Sequence, residues 1–340
     1  MKWLVCGVGS VGRRHVRNLL ALGERDILLY RQRNLPLDGP EGDLPASGDL
    51  DDLLARRPGA ALITSPTSRH LPQALACARS GCHLLVEKPL SHDLAGLAEL
   101  AAVVRENRLA VLMGFQFRFH PGLRRIKTWL AAGAIGRVVH VTAHWGERLS
   151  DWHPGEDFRA GYSAREDLGG GVVLTLCHPL DYLVWLLGPV RTVAALGGQS
   201  PCFDLPVEEN AAIVLQFASG ATGSVHLDYV QHPRRHGLEI VGCDGTIRWD
   251  DATGDTAVYS SGSGSWDVSP APDGFQRNDM FLEEVRHFRD VVAGRAASLC
   301  PLDEGVANQR LLMAVKESLA RGRVIRLDDP ASDVPDPAGA

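Results

Sequence analysis

Hydrophobic spacing changes character about a third of the way along this chain. Before residue 118, short apolar runs at 3–6, 27–30, 60–64, 83–86 and 110–113 alternate with helical patterns over 11–22, 50–55, 69–80 and 94–106. Continuous apolar runs of this length read as strands buried on both faces. Their regular exchange with helices predicts a doubly wound parallel sheet with right-handed crossovers. After residue 118 a helix over 120–132 precedes candidate strands at 137–145, 190–196, 211–217, 221–229, 237–241 and 246–249. Many of these alternate apolar and polar residues and are joined by turn dipeptides such as Ser219-Gly220 and Asp244-Gly245. That pattern predicts an α+β second domain with a large, mostly antiparallel open sheet, one face on a helical layer. Further helices are predicted over 174–187, 278–293 and 303–320, a mobile loop over the Ser-, Gly- and Pro-rich stretch 260–274, and a flexible tail at 328–340. The domain expectation is therefore 1–118, 119–327 and the tail.

Composition narrows the classes. The chain has 340 residues, ample for two cores. A net charge of -6 argues against a nucleic-acid binder, while leaving room for a local arginine-lined anion pocket. Apolar runs fall short of the roughly 18–20 residues of a membrane span, and the sequence opens directly on a strand, leaving no room for a signal peptide. Seven cysteines without a C-x-x-C pair read as reduced thiols, with Cys6, Cys77 and Cys82 in apolar core runs. A cytoplasmic protein is the expectation.

The first strand leads into Gly7-Val8-Gly9-Ser10-Val11-Gly12 and then a helix, the context in which this glycine spacing binds a dinucleotide. Gly7 allows the tight turn, Gly9 lets the backbone approach a pyrophosphate, Gly12 permits close helix packing, and the helix amino end at Ser10 and Val11 receives the anion. At the end of the second strand, where an acidic residue would select NAD, stand Arg31 and Arg33. Their guanidinium groups favour the 2′-phosphate of NADP over NAD, unless both merely solvate a loop. Ser65, Pro66 and Thr67 end the next long strand, and His70 opens the following helix. These residues can line the cofactor cleft, or Thr67 or Ser68 can cap the helix.

Lysine is scarce: only Lys2, Lys88, Lys127 and Lys316 occur. Lys88 lies in Glu87-Lys88-Pro89, at the carboxyl end of an apolar run, where open α/β sheets place their chemistry. It is a candidate catalytic group.

The fingerprint at 7–12, Ser65-Pro66-Thr67-x-x-His70, Glu87-Lys88-Pro89, the stretch from Gly114 to Pro121 with Gln116, Gly133-x-Ile135-Gly136, and Gly169-Gly170-Gly171 followed by His178-x-x-Asp181 together resemble the Gfo/Idh/MocA oxidoreductases over roughly residues 1–325. The resemblance implies a Rossmann domain, a carboxy-terminal α/β domain that binds substrate and forms homodimers or homotetramers, and NAD(P)-dependent interconversion of a secondary alcohol and a ketone on a sugar, sugar nucleotide or cyclitol. It carries catalytic roles to Lys88 as acid/base and to His178 as its assistant, with Asp181 one helical turn on. It places Glu87 and Gln116 with the cofactor. One departure stands out: many members carry an acidic residue three or four positions before the histidine, and here Leu174 and Thr175 occupy those places. A regulator that binds nucleotide without turnover, or a redox-neutral enzyme recycling a tightly held NAD, therefore stays open.

Substrate contacts are expected from Lys88, Arg118, Trp152, His153, Asp157, Arg159, Tyr162, Thr175 and His178, because sugars are bound by aromatic faces mixed with charged and hydroxyl groups. Arg118, His120, Arg159 and Arg165 can also receive a carboxylate or diphosphate. The same residues in 145–165 would suit a subunit contact. His144, His153, Cys177 and His178 match no compact ligand spacing, so no metal is assigned. His232 and His236 flank Arg234-Arg235 and read as a solvated strand end.

Overall fold

The computed structural model describes residues 1–32, 36–37 and 39–327, so Arg33 and the tail expected at 328–340 lie outside the described residues. The chain packs as two units: residues 1–119 with 167–169 and 274–309, and residues 120–166 with 170–273 and 310 onward.

In the first unit, strands β1 (Trp3–Cys6), β2 (Ile27–Tyr30), β3 (Ala46–Ser47), β4 (Ala60–Ile63), β5 (His83–Glu87) and β6 (Val111–Gly114) form a parallel sheet in the order β3-β2-β1-β4-β5-β6. Helices α1 (Ser10–Ala21), α2 (Leu50–Ala55), α3 (His70–Arg79) and α4 (Leu97–Glu106) connect them. β1, β2, β4 and β6 are buried at every position, as uninterrupted apolar runs require. β3 is an addition to the expected five strands; at two residues it is too short to carry a period.

In the second unit α5 (Pro121–Ala131) precedes β7 (Val138–Gly146). Helices α6 (Val172–Thr175) and α7 (His178–Leu187) follow, then β8 (Val190–Gly198), β9 (Asn210–Phe217), β10 (Thr222–Asp228), β11 (Arg235–Gly242), β12 (Gly245–Asp250), β13 (Thr256–Ser260) and β14 (Ser265–Ser269). With β15 (Ile325–Arg326) they form one sheet, β14-β13-β12-β11-β7-β10-β9-β8-β15, antiparallel except where β7 meets β10. Alternation does what it predicts: Ala211, Ile213, Leu215 and Phe217 are buried, while Ala212, Val214 and Gln216 are exposed.

Two expectations need correction here. The stretch 260–274 is not all loop, because Ser265–Ser269 pairs with β13 and sets Trp266 against Tyr259, ring centroids 5.6 Å apart. The single helix expected over 174–187 is two helices, interrupted at Leu176 and Cys177. Pro179, in the first turn of α7, has no N–H to continue the α6 ladder and is well tolerated only near a helix start.

Helix α8 (Arg277–Val292) belongs to the first unit, and α9 (Leu302–Arg321) follows it. α8 buries Met280, Phe281, Glu284, Val285 and Phe288, a stripe at three- and four-residue spacing. Phe288 lies edge-on to Trp3 of β1 and Phe281 edge-on to His15 of α1. Each ring contributes roughly 1.5–3 kcal/mol by leaving water.

Candidate active site

The glycine loop joins β1 to α1. Gly7 has φ +99°, and a Cβ there would meet the Ser65 backbone at 2.6 Å; a Cβ on Gly12 would stand 1.9 Å from the Gly7 carbonyl oxygen. Gly9 is different, since its missing Cβ faces open space. No side chain caps α1 and its first turn holds no acidic residue, so the helix dipole and leading N–H groups face that space without a competing anion. A pyrophosphate fits this donor set.

At the end of β2, Arg31 borders an open groove of about 390 Å³ with Pro36, Leu37, Gly42, Ala46, Ser47 and Gly48. β3 shapes this place, because the Arg31 amide donates to the Ser47 carbonyl. Ser65 donates its hydroxyl to Gln73, and Thr67 is buried in a short turn after Pro66. Neither Thr67 nor Ser68 caps α3, whose cap position is Arg69 without a side-chain bond. His70 is buried with its ring nitrogens on the carbonyls of Pro89 and Ser65, both at 2.7 Å, so it ties the β4 loop to the β5 loop. Burial lowers its pKa although both carbonyls favour added protons.

Lys88 is half-buried directly after β5. Its amide donates to Glu87 Oε2, and the Glu87 carboxylate, 5% exposed, takes a 2.7 Å hydrogen bond from His15 Nε2 of α1. Glu284 of α8 completes a closed cluster in which ligand atoms of His15, Glu87 and Glu284 lie within 4.8 Å of one another. The two acids differ in protonation. Burial pushes Glu87 up, but the His15 hydrogen bond and the electrostatic influence of His15, Lys88 and His70 outweigh it and leave its pKa lowered. Glu284 has no hydrogen-bond partner on either oxygen, and burial followed by the charge of Glu87 raises it well above the ordinary range. One ionised and one neutral carboxyl is the arrangement these forces favour. Gln116 is buried in the turn Gln116–Phe119 after β6.

Arg118, expected at the substrate, is 1% exposed, and its Nη1 bonds the Leu299 carbonyl and the Glu304 carboxylate. These bonds tie one guanidinium nitrogen to the segment that leads into α9. His120 is likewise a cap, accepting the Gly122 amide with Nδ1, and burial lowers its pKa to about 4.

In the second unit His178 opens α7, 2% exposed and stacked on Trp145 at 5.5 Å. Trp145 stacks in turn on His236 at 4.2 Å. His236 is therefore not a solvated strand end but a core residue, 2% exposed. Its signal was available, since it shares the strand phase of Leu238 and Ile240. Asp181 is fully buried. Thr175 ends α6 and is buried, as is Leu174, while the Tyr229 hydroxyl donates to the Ser163 carbonyl.

The loop after β7 carries the other expected substrate groups. Trp152 stands edge-on to Tyr229, His153 and Asp157 are exposed, and Tyr162 is half-buried. Asp157 caps the turn Phe158–Ala160, and Arg159 bonds the Phe203 carbonyl while lying over Phe158. These two hold the loop in shape. Sequence spacing had no means of finding His15 or Glu284, which meet Glu87 only through tertiary packing.

Residues 1–115 match the NAD-binding Rossmann fold of the GFO/IDH/MocA oxidoreductase family, and residues 123–248 match the GFO/IDH/MocA C-terminal domain. A D-xylose 1-dehydrogenase (NADP(+)) of Haloferax volcanii is 27% identical over 336 residues, 96% of this chain and 100% of that protein. Myo-inositol 2-dehydrogenase of Thermotoga maritima is 26% identical, covering 96% of this chain and 98% of its own. Levoglucosan dehydrogenase in complex with NADH superposes with a TM-score of 0.86 at 18% identity, covering 96% of this chain and 98% of that one. Matched over both of its domains, the chain belongs to the Gfo/Idh/MocA family of NAD(P)-dependent oxidoreductases.

Proposed function

We propose that the protein is an NADP(H)-preferring or dual-specific dehydrogenase that interconverts a secondary alcohol and a ketone on a sugar, sugar nucleotide or cyclitol. The observation that carries this reading is Lys88, half-buried beyond the carboxyl end of β5 in a sheet whose β1 ends on the glycine loop. Bound nicotinamide would accept or return the hydride of the carbinol carbon. As the carbonyl forms, the hydroxyl proton must leave; neutral Lys88 takes it, and in reduction the ammonium returns it. Gly9 and the α1 amino end hold the pyrophosphate, and the groove beside Arg31 takes the 2′-phosphate. His178 assists, and Trp152, His153, Tyr162 and Thr175 bind hydroxyls and C–H faces of the substrate. Glu87 and His70 act by holding the loop that carries Lys88.

Titration with NADPH and NADH, read by nicotinamide fluorescence, tests the cofactor half. Binding of NADPH tighter than NADH is expected, and binding of neither at millimolar concentration would sink it. A second reading, cofactor binding without net turnover, is favoured by Leu174 and Thr175, buried uncharged residues where relatives of this family can carry an acid. Substrate-dependent NADPH formation with any polyol, sugar or sugar nucleotide removes that reading. A homo-oligomer in the cytoplasm is the accompanying proposal. It is supported by Leu196 and Val214, 74% and 57% exposed on the open sheet face, and by seven free cysteines. A monomer in sedimentation at micromolar concentration contradicts the first part. Among the described residues no single helix is long and apolar enough to cross a membrane.

A further inference from the structure

The parallel pairing of β7 with β10 sets His144 directly across from His226, with ring centroids 4.8 Å apart. Asp228, two residues further along β10, brings its Oδ2 to 3.1 Å from His226 Nε2 and 4.0 Å from His144 Nε2. All three ligand atoms lie within 4.8 Å of one another. The other carboxylate oxygen, Oδ1, accepts the amides of Val230 at 2.8 Å and Gln231 at 2.6 Å, which fixes the carboxylate with Oδ2 toward the imidazoles. Gln231 turns back to place Oε1 on His144 Nε2. Beneath these oxygens is Gly146, where a Cβ would stand 2.2 Å from Gln231 Oε1 and 2.3 Å from Asp228 Oδ2. Only a glycine leaves room for this convergence.

We propose that this cluster binds one divalent transition-metal ion of the zinc class, through Nε2 of His144, Nε2 of His226 and Oδ2 of Asp228, with Gln231 Oε1 or water as the fourth ligand. Ligand atoms about 2.0–2.2 Å from a tetrahedral ion stand ~3.3 Å apart, so the observed spacings close on an ion by small side-chain rotations. Two imidazoles and one carboxylate suit zinc, cobalt, nickel or copper, whereas magnesium and calcium take all-oxygen sets. Without an ion, His226 Nε2 lies at 3.1 Å from Asp228 Oδ2 and His144 Nε2 is held by Gln231 Oε1, so the same atoms that would bind the ion already point at one another. The ion would brace β7 against β10 and the turn after it, at the point where β7 runs into the loop beginning at Glu147.

Metal-stripped full-length protein is titrated with Zn2+ against a chromophoric chelator, and with Co2+ followed by visible absorption. Saturation at about one ion per chain, a tetrahedral Co2+ spectrum and a Zn2+-dependent rise in unfolding temperature are expected. His144→Gln and His226→Gln should each weaken Zn2+ at least about tenfold, and the double variant should lose saturable binding. NADPH affinity in these variants should be unchanged, which verifies their fold. His140→Gln, on the same strand face, should bind as the parent does. Absence of saturable Zn2+ binding below ~100 µM overturns the proposal. Undiminished binding in the double variant overturns it too, by placing the ion elsewhere.

Discussion

The cluster of His15, Glu87 and Glu284 in the first unit and that of His144, His226 and Asp228 in the second each gather imidazole and carboxylate atoms within 4.8 Å, one histidine with two acids in the first and two histidines with one acid in the second. Their surroundings differ. The first is sealed, with Glu284 at 0% exposure and neither oxygen hydrogen-bonded, so an excess carboxyl there is kept neutral by burial and by its charged neighbour. The second opens on the sheet face, and its carboxylate stays ionised. Burial alone would raise Asp228, but hydrogen bonds from His226, Val230 and Gln231 leave it lowered. A closed cluster stores a proton, while an open one presents ligands. Only the closed cluster is joined to the proposed chemistry, because Glu87 adjoins Lys88 in sequence and accepts its amide.

The largest expected effect separates the clusters by activity. Lys88→Ala should lower turnover by roughly 10³-fold with NADPH binding kept, whereas His226→Gln should leave turnover within about twofold of the parent. Equal losses in steady-state assays would break the distinction.

Stability against pH is the next contrast. Glu284 is raised in the folded chain, so the unfolded chain loses its proton first; native stability is undiminished below the unfolded pKa of about 4.3 and falls as pH climbs toward the folded value. Glu284→Gln cannot ionise. It should match the parent in urea unfolding at pH 4.5 and exceed it at pH 8 by roughly 1–3 kcal/mol. Glu87 is lowered and has the opposite sign: its contribution is present above about 4.3 and is lost as pH falls through its folded value. A parent curve with no alkaline decline relative to Glu284→Gln would show the sealed cluster to be hydrated.

Asp228→Asn tests the open cluster. The change weakens the charge-assisted bonds to Val230 and Gln231 and should cost about 1–2 kcal/mol at pH 7, read by the same unfolding measurement. Smaller still, Arg31→Ala should weaken NADPH about tenfold and leave NADH nearly unchanged by fluorescence titration. A parallel loss for both cofactors would remove Arg31 from the 2′-phosphate.

Local signals made the first unit's sheet legible: four buried strands are unbroken apolar runs, and the glycine loop sits in one short stretch. The β13–β14 hairpin escaped because Ser and Gly mask the alternation of Trp266 and Val268, whose side chains stay exposed on the sheet. The break before α7 was written in Pro179 but hidden by the apolar run around it. Lys88 could be singled out from its strand end. The Glu304 partner of Arg118 was not legible, since it is 186 positions away. The absence of a compact metal spacing likewise says nothing about His144 and His226, which are 82 residues apart and meet only through strand register.

The order in which the chain is made gives the return of α8 to the first unit a further meaning. Trp3 and His15 receive Phe288 and Phe281 only after the entire strand series of the second unit through β14 has been synthesised. A nascent chain ending near residue 119 therefore exposes the apolar surface on β1 and α1 that α8 later covers, and Glu87 waits there without Glu284. During translation the first unit to be started is not sealed until most of the second has been made, an interval in which its uncovered apolar surface is open to aggregation.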